Sequence, residues 1–211
     1  MKKLFEELND TSLSIEVNKS KQNQNNHEMK ISDDLEKRIA EEVLKREAKE
    51  KDEWGQYSDV MGPYPASFLM SDILREVIKN IRYNPENFNR LYHESLDSCW
   101  DDEDDEIDID YDPEDLVAMR IIELEKSTIS DIEQELDNIQ YELHELEHDD
   151  LPHTELEMYE LEDGESKEVV KGNISKIRKR IQELEVRKKQ LLIMFCQLAK
   201  KLAEKYLVTE E

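Results

Sequence analysis

The chain has 211 residues, of which 54 are acidic and 29 basic, and its formal net charge is −25. Hydrophobic residues make up 37% and charged residues 39%, whereas ordinary globular domains contain about 45–50% and 25%. One large core is therefore not expected, and direct binding to nucleic acid or to an anionic membrane is disfavoured by charge. With only four glycines and five prolines, the composition favours long helices with narrow apolar stripes.

The expected compartment is the cytoplasm. Two cysteines, Cys99 and Cys196, do not make a disulfide framework, which favours a reducing environment. The first residues lack the apolar run of a signal peptide, and no stretch of about 18 apolar residues predicts a membrane span.

The first 96 residues are predicted to contain a peptide and a small helical bundle. Residues 1–30 read as an N-terminal peptide and a flexible linker, because residues 18–30 show no hydrophobic periodicity. Residues 31–96 are predicted to form three helices, over 33–53, 66–82 and 85–98, and the charged second half of the first helix is expected to be solvated. Asn84 is the predicted N-cap of the third helix, with Pro85 at its first position. A bundle of about 65 residues is marginal alone, so we expect it to pack on the rest of the chain.

An acidic tract occupies residues 97–115, with twelve acids and no base. An extended strand carries one side chain per ~3.4 Å, and duplex DNA carries one charge per ~1.7 Å of axis, so such a tract can imitate a nucleic acid. The apolar residues inside it favour a docking segment over a solubility tail. The candidate partner-binding residues of the tract are Asp101, Asp102, Glu103, Asp104, Asp105, Glu106, Asp108, Asp110, Tyr111 and Asp112.

Residues 116–206 are predicted to form a long antiparallel coiled-coil hairpin. Apolar residues recur at spacings of three and four, first from Ile129 to Leu146 and again from Val170 to Tyr206. The two arms have opposite charge, since residues 116–147 hold nine acids and two bases and residues 171–206 hold eleven bases and three acids. Opposite charge favours pairing within one chain over a parallel dimer, so we expect a monomer.

One antiparallel register aligns the two seams. It places Leu136 opposite Leu184 and Ile129 opposite Leu191, and the other seam residues follow. Lys188 is the polar exception in the seam, where it falls opposite Ile132, and its ammonium is expected to reach Asp131 or Glu135.

Residues 148–170 are predicted to connect the two arms. The segment carries nine acids and one lysine, and it is longer than the roughly 2–8 residues that usually join two helices. It is therefore either a disordered tip or a small binding element. Its candidate partner-binding residues are Leu156, Met158, Tyr159 and Leu161.

A short motif introduces a possible metal site. Residues 144–148 read H-E-L-E-H, which matches the H-E-x-x-H pattern of zinc hydrolases, and His153 lies nearby. The extended pattern fails, because Leu151 stands where a glycine belongs and the third histidine comes one position early. The surrounding helix is also an acidic arm rather than a cleft. We therefore predict no metal and no other cofactor, with His144, His148 and His153 as the weak candidates.

The sequence predicts an all-α protein that is not an enzyme. Its expected function is that of a regulator or inhibitor that docks acidic segments on a basic, nucleic-acid-binding protein, in the manner of virus or phage nucleic-acid mimics. One alternative is a coiled-coil scaffold or assembly chaperone, which a basic C-terminal helix on an acidic chain would suit. Another, weaker alternative is a zinc hydrolase built on the H-E-x-x-H match.

Overall fold

The structure is a computed structural model that describes residues 35–50, 63–99, 112–161 and 164–208. The chain divides into two units, Met1–Arg38 and Ile39–Glu211, and the fold below is that of the second unit. All regular structure in the described residues is helical, which confirms the all-α prediction.

The described residues form six helices in chain order. Helix α1 covers 35–50, α2 is Ala66–Asn80, α3 is Pro85–Cys99 and α4 is Pro113–Leu124. Helix α5 begins with the α-helix Lys126–Glu145, passes through a π-helical turn at Leu146–Asp150 and ends with the α-helix Leu151–Glu160. Helix α6 is the α-helix Glu165–Ala203, followed by a second π-helical turn at Glu204–Val208.

Helices α5 and α6 form the predicted antiparallel hairpin. Two ion pairs cross between them, from Arg180 to Glu142 and from Arg187 to Glu135, each at 2.6 Å. For each arginine, the observed glutamate lies two positions later in the chain than the residue that the predicted register places opposite it. Both ion pairs are therefore displaced from the predicted register by the same two positions. The seam residues Ile129, Leu136, Leu184 and Leu191 are all buried.

The hairpin begins later than predicted. The arm was expected to start at residue 116, but the helix that begins at Pro113 ends at Leu124, and Glu125 forms a one-residue break before α5. Helix α4 packs against α2 and α3, while α2 in turn packs against α6. The small helices therefore pack on the hairpin, as the marginal size of the bundle predicted.

The connector is shorter than predicted. Helix α5 continues to Glu160 and α6 starts at Glu165, so most of the predicted 148–170 connector is helical. Pro152 lies inside this helix, where it lacks the N–H that would bond to the carbonyl of His148, and its ring crowds that carbonyl. The wider π-helical turn immediately before Pro152 accommodates this conflict. We call the part of α5 from Leu151 to Glu160 the tip helix.

The predicted start of the third helix is confirmed. The side-chain oxygen of Asn84 accepts the backbone N–H of Glu86 at 2.9 Å, and its carbonyl accepts the N–H of Phe88 at 3.1 Å. The backbone N–H of Asn84 also donates to the carbonyl of Leu207 at 2.8 Å, which ties the end of α6 to the loop between α2 and α3.

Candidate interaction surfaces

The central part of the predicted acidic tract, residues 100–111, lies outside the described residues. Of its candidate residues the structure describes only Asp112, which is exposed and directly precedes α4. The Asp112 carboxylate lies 3.6 Å from the Nζ of Lys79 at the end of α2, and its backbone carbonyl accepts the N–H of Asp115 at 2.9 Å. One end of the tract is therefore attached to the bundle close to the end of α2.

The tip helix places the other predicted binding residues on two faces. Leu156 and Tyr159 are 58% and 79% exposed, whereas Met158 and Leu161 are half-buried. Met158 lines a cavity of about 570 Å³ together with Ile174 of α6. Tyr159 also lines this cavity, although most of its surface is exposed, whereas Leu156 lies outside it. That these residues bind a partner stays a prediction.

The histidines of the H-E-x-x-H match lie at the start of the π-helical turn. The rings of His144 and His148 are 4.6 Å apart between centroids and tilted by 43°. Within the described ranges, no three side chains of His, Cys, Asp or Glu are grouped as a metal ion would require. The structure therefore gives no geometric support to a metal site at His144, His148 and His153.

Six of the twelve basic side chains of α6 form ion pairs with acids outside this helix. Three reach α5 and two reach α1, and a further one contacts Glu125. The Arg180 guanidinium donates to both carboxylate oxygens of Glu142, at 2.6 and 2.9 Å, and lowers the pKa of that carboxyl. These six pairs are Arg178–Glu155, Arg180–Glu142, Arg187–Glu135, Lys188–Glu47, Lys189–Glu41 and Lys205–Glu125.

A buried polar cluster joins α1 to both arms of the hairpin. The ammonium of Lys188 donates to the two carboxylate oxygens of Glu47 at 2.6 and 2.5 Å, and to the side-chain oxygen of Gln140 at 3.0 Å. The amide nitrogen of Gln140 donates to Glu47 at 2.8 Å, which closes the triangle. All three residues are at most 5% exposed.

This cluster corrects two expectations. Lys188 occupies the seam, as predicted, but its partner is Glu47 of α1 rather than Asp131 or Glu135. The charged second half of α1 is also not wholly solvated, because Glu47 is buried there. A signal was present in the sequence, since Ile39, Val43 and Glu47 recur every four residues on the buried side of α1.

A second polar cluster lines a groove of about 520 Å³ between α1, α2 and α4. Arg46 pairs with Asp72 and Glu76 at 3.0 and 3.1 Å, and Arg75 pairs with Asp72 and Asp115 at 2.8 Å each. Burial raises the pKa of Asp72 to about 6, although Arg46 opposes this shift. The cluster satisfies most of its own charges internally, so it fixes α1 and α4 against α2.

Comparison with known proteins adds no relative. No family model matches the chain, and neither a curated protein nor a solved structure is significantly similar to it. None of the described helices combines the length and the apolar character that crossing a bilayer requires.

Proposed function

We propose that the protein is a non-enzymatic interaction protein that docks its acidic segments on a basic, nucleic-acid-binding protein and competes there with nucleic acid. The observation that carries this proposal is the distribution of charge. Residues 97–115 and 148–170 hold twelve and nine acids against a single lysine, Lys167. Six of the twelve basic residues of α6 pair with acids outside this helix and two more pair with acids within it, so most of them do not offset these two regions.

Four acids on and beside the tip helix, listed at the end of this paragraph, have two features that support electrostatic docking there. They are exposed, and they make no ion pair with any described residue. Carboxylates that have no cation of their own are available to one on a partner, and such complementarity mainly accelerates association and selects the partner. These acids are Asp149, Asp150, Glu157 and Glu160.

The same proposal gives the oligomeric state and the compartment. The basic helix α6 pairs with α5 of its own chain, so a second copy is not needed to neutralise it, and we propose a monomer. Cys196 is a buried thiol in the core of the hairpin, and we propose that the protein works in the reducing cytoplasm.

Affinity capture with charge-matched variants tests the proposal. The tract variant replaces Asp104, Asp105, Asp108 and Asp110 by Asn. The control removes the same four charges from exposed positions on the hairpin that form no ion pair within the described ranges, as Asp131→Asn, Glu145→Gln, Glu147→Gln and Glu185→Gln. We expect the wild-type chain and the control to capture a basic nucleic-acid-binding protein and to displace it from DNA, and the tract variant to lose both activities.

Two results would contradict the proposal. Equal capture by the tract variant and by the control would show that the tract is not the docking segment. A captured protein that keeps its DNA while bound would remove competition with nucleic acid.

The scaffold alternative has one observation in its favour, which is the exposed apolar pair Leu156 and Tyr159 at the end of a long hairpin. Apolar residues at such a position are typical of contacts with another protein. Capture of a shell or filament protein, insensitive to the tract substitutions, would support this alternative instead.

A further inference from the structure

The tip helix carries exposed apolar residues beside those that pack on α6. Its inner side packs on α6, since Met158 and Ile174 line one cavity and Arg178 of α6 donates to Glu155 at 2.8 Å. Leu156 lies outside this cavity and is 58% exposed, whereas Tyr159 lines it but is 79% exposed. Together Leu156 and Tyr159 form an outer stripe. A helix packed on only one neighbour needs a single apolar stripe, so the outer stripe is not explained by the hairpin.

The outer stripe continues to Pro152. Pro152, Leu156 and Tyr159 are exposed and follow one another at intervals of four and three within the tip helix, which are spacings that keep side chains on one side of an α-helix. Tyr141 and His148 are also exposed, but the π-helical turn at Leu146–Asp150 rotates them relative to the tip helix. The stripe spans ~11 Å at the helical rise. We call it the tip face, and its residues are Pro152, Leu156 and Tyr159.

The tip face is bordered by acids and contains no lysine or arginine. Between His148 and Leu161 the sequence has no such base, and four acids there are exposed without an ion pair to any described residue. Lys171 and Arg178 of α6, which line the cavity beside Tyr159, pair with Glu168 and Glu155. An apolar and aromatic centre with a charged border is the usual arrangement of a protein-binding surface. The four bordering acids are Asp149, Asp150, Glu157 and Glu160.

This combination determines the chemistry of the occupant. A second copy of the chain would bring an identical acidic border against this one, and like charges opposed across an interface disfavour it. An anionic membrane surface is disfavoured for the same reason. A narrow apolar stripe with residues at i, i+4 and i+7 matches one face of another helix, whose own anchors recur at i, i+3, i+4 and i+7.

We infer that the tip face binds an amphipathic helix whose apolar residues contact Leu156 and Tyr159 and whose lysines and arginines meet the bordering acids. The inference deepens the proposed function, on which it rests for the positive charge of the partner. It adds a second contact at the tip, made by apolar side chains as well as by charge. Tyrosine is a frequent anchor at such interfaces, because it buries a large rigid surface.

A designed peptide tests the inference on the full chain. The probe is a fluorescein-labelled peptide of about 18 residues, composed of leucine and lysine with the leucines on one helical face, so that it is long enough to form a helix that covers the tip face. Its control has the same composition in a scrambled order that spreads the leucines around the helix. Binding is followed by fluorescence anisotropy in about 0.15 M NaCl, where exposed charges are screened beyond roughly 8 Å.

The matched variants separate the tip face from other exposed apolar residues. The tip variant is Leu156→Ser/Tyr159→Ser. The control is Val186→Ser/Phe68→Ser, which removes an aliphatic and an aromatic side chain that are 52% and 48% exposed elsewhere. We expect the tip variant to weaken binding of the probe by about tenfold or more, and the control to leave it unchanged. The scrambled peptide should bind the wild-type chain at least about tenfold more weakly than the probe.

Three outcomes would overturn the inference. The tip variant could bind the probe as tightly as the wild type, the scrambled peptide could bind equally well, or the Phe68 and Val186 control could lose binding instead. Circular dichroism of each variant shows whether the helices are retained, and all four substituted positions are exposed. If the peptide experiment fails while the wild-type chain still captures its partner in the tract experiment, the proposed function stands and the tip inference does not. If the capture experiment alone fails, the peptide-binding result is unaffected.

Discussion

The two ends of helix α6 are buried to different extents. In the base, which we define as residues 184–207 of α6, buried residues come in adjacent pairs such as Leu191 with Leu192 and Phe195 with Cys196. Towards the tip Val170 and Ile174 are buried, whereas none of residues 175–183 is. Among the described helices the base contacts α2 as well as α5, whereas the tip contacts α5. The difference indicates that stability is concentrated in the base.

The largest expected effect is a loss of stability from a cavity in the base. Phe195 is fully buried, so Phe195→Ala should lower the free energy of unfolding by about 3–5 kcal/mol. Ile174→Ala near the tip should cost only about 2 kcal/mol, because a site between two helices collapses more easily. Urea denaturation of both variants measures the difference. A larger loss for Ile174→Ala would contradict the assignment of the stable core to the base.

The buried Lys188 cluster is a second test of the base. Lys188→Ala leaves the Glu47 carboxylate buried with Gln140 as its only remaining partner in the cluster, so we expect a loss of about 3 kcal/mol. The apolar pair Glu47→Leu/Lys188→Met removes both charges and should cost much less, or even stabilise the fold. The comparison is made from the urea denaturation midpoints of the two variants, provided that the unfolding free energy depends on urea concentration with the same slope in both. If the double variant is the less stable of the two, the cluster adds net stability.

The Glu125 carboxyl predicts a pH dependence of the base. Hydrogen bonds from Lys205, Thr128 and Tyr206 lower the pKa of Glu125 from its usual 4.5 to about 2. Because the folded pKa lies below the unfolded one, this contribution is present above pH 4.5 and is lost as the pH falls towards 2. We expect it to amount to about 1–3 kcal/mol.

The matched variant for this prediction is Glu125→Gln. Urea midpoints of wild type and variant, measured from neutral to acidic pH, should differ most above pH 4.5 and converge as the pH approaches 2. A constant difference over this range would mean that the carboxylate charge is not the stabilising group.

The smallest effect is a gain of stability near the tip. Gly172 lies inside α6, and a methyl group added there would meet no atom within 4 Å. Gly172→Ala should therefore stabilise the helix by about 1 kcal/mol and raise Tm by about 2–4 °C. Gly164→Ala is the control, because that glycine has equal space but precedes the helix. A higher Tm for the control than for Gly172→Ala would contradict the explanation by helix propensity.

Hydrophobic periodicity predicted the hairpin well, because it records which side of a helix is buried. It located the seam from Ile129 to Leu191 and the helix start at Asn84, both of which the structure shows. Leu192 and Cys196 were not predicted as core residues. The a/d pattern marks only the side of α6 that faces the opposite arm, whereas the buried side of α6 is wider in the base and includes these two residues.

The candidate sites were harder to predict, because they depend on helices that are distant in sequence. Nothing local to Lys188 identifies Glu47 as its partner, and a seam position alone suggests an acid on the opposite arm. The acidity and length of residues 148–170 indicated a disordered tip or a small binding element, yet the helix continues through one π-helical turn to Glu160. That continuation is what places Leu156 and Tyr159 on an exposed helical face.

The contact between Glu47 and Lys188 has a consequence for the speed of folding. These residues are separated by 141 positions, whereas helical proteins usually fold fast because their contacts are local. The hairpin joins neighbouring helices across a short turn and can form early, but the cluster requires α1 to find a site on a helix that comes much later in the chain. We therefore expect docking of α1 to be the slow step, with a compact hairpin that precedes it.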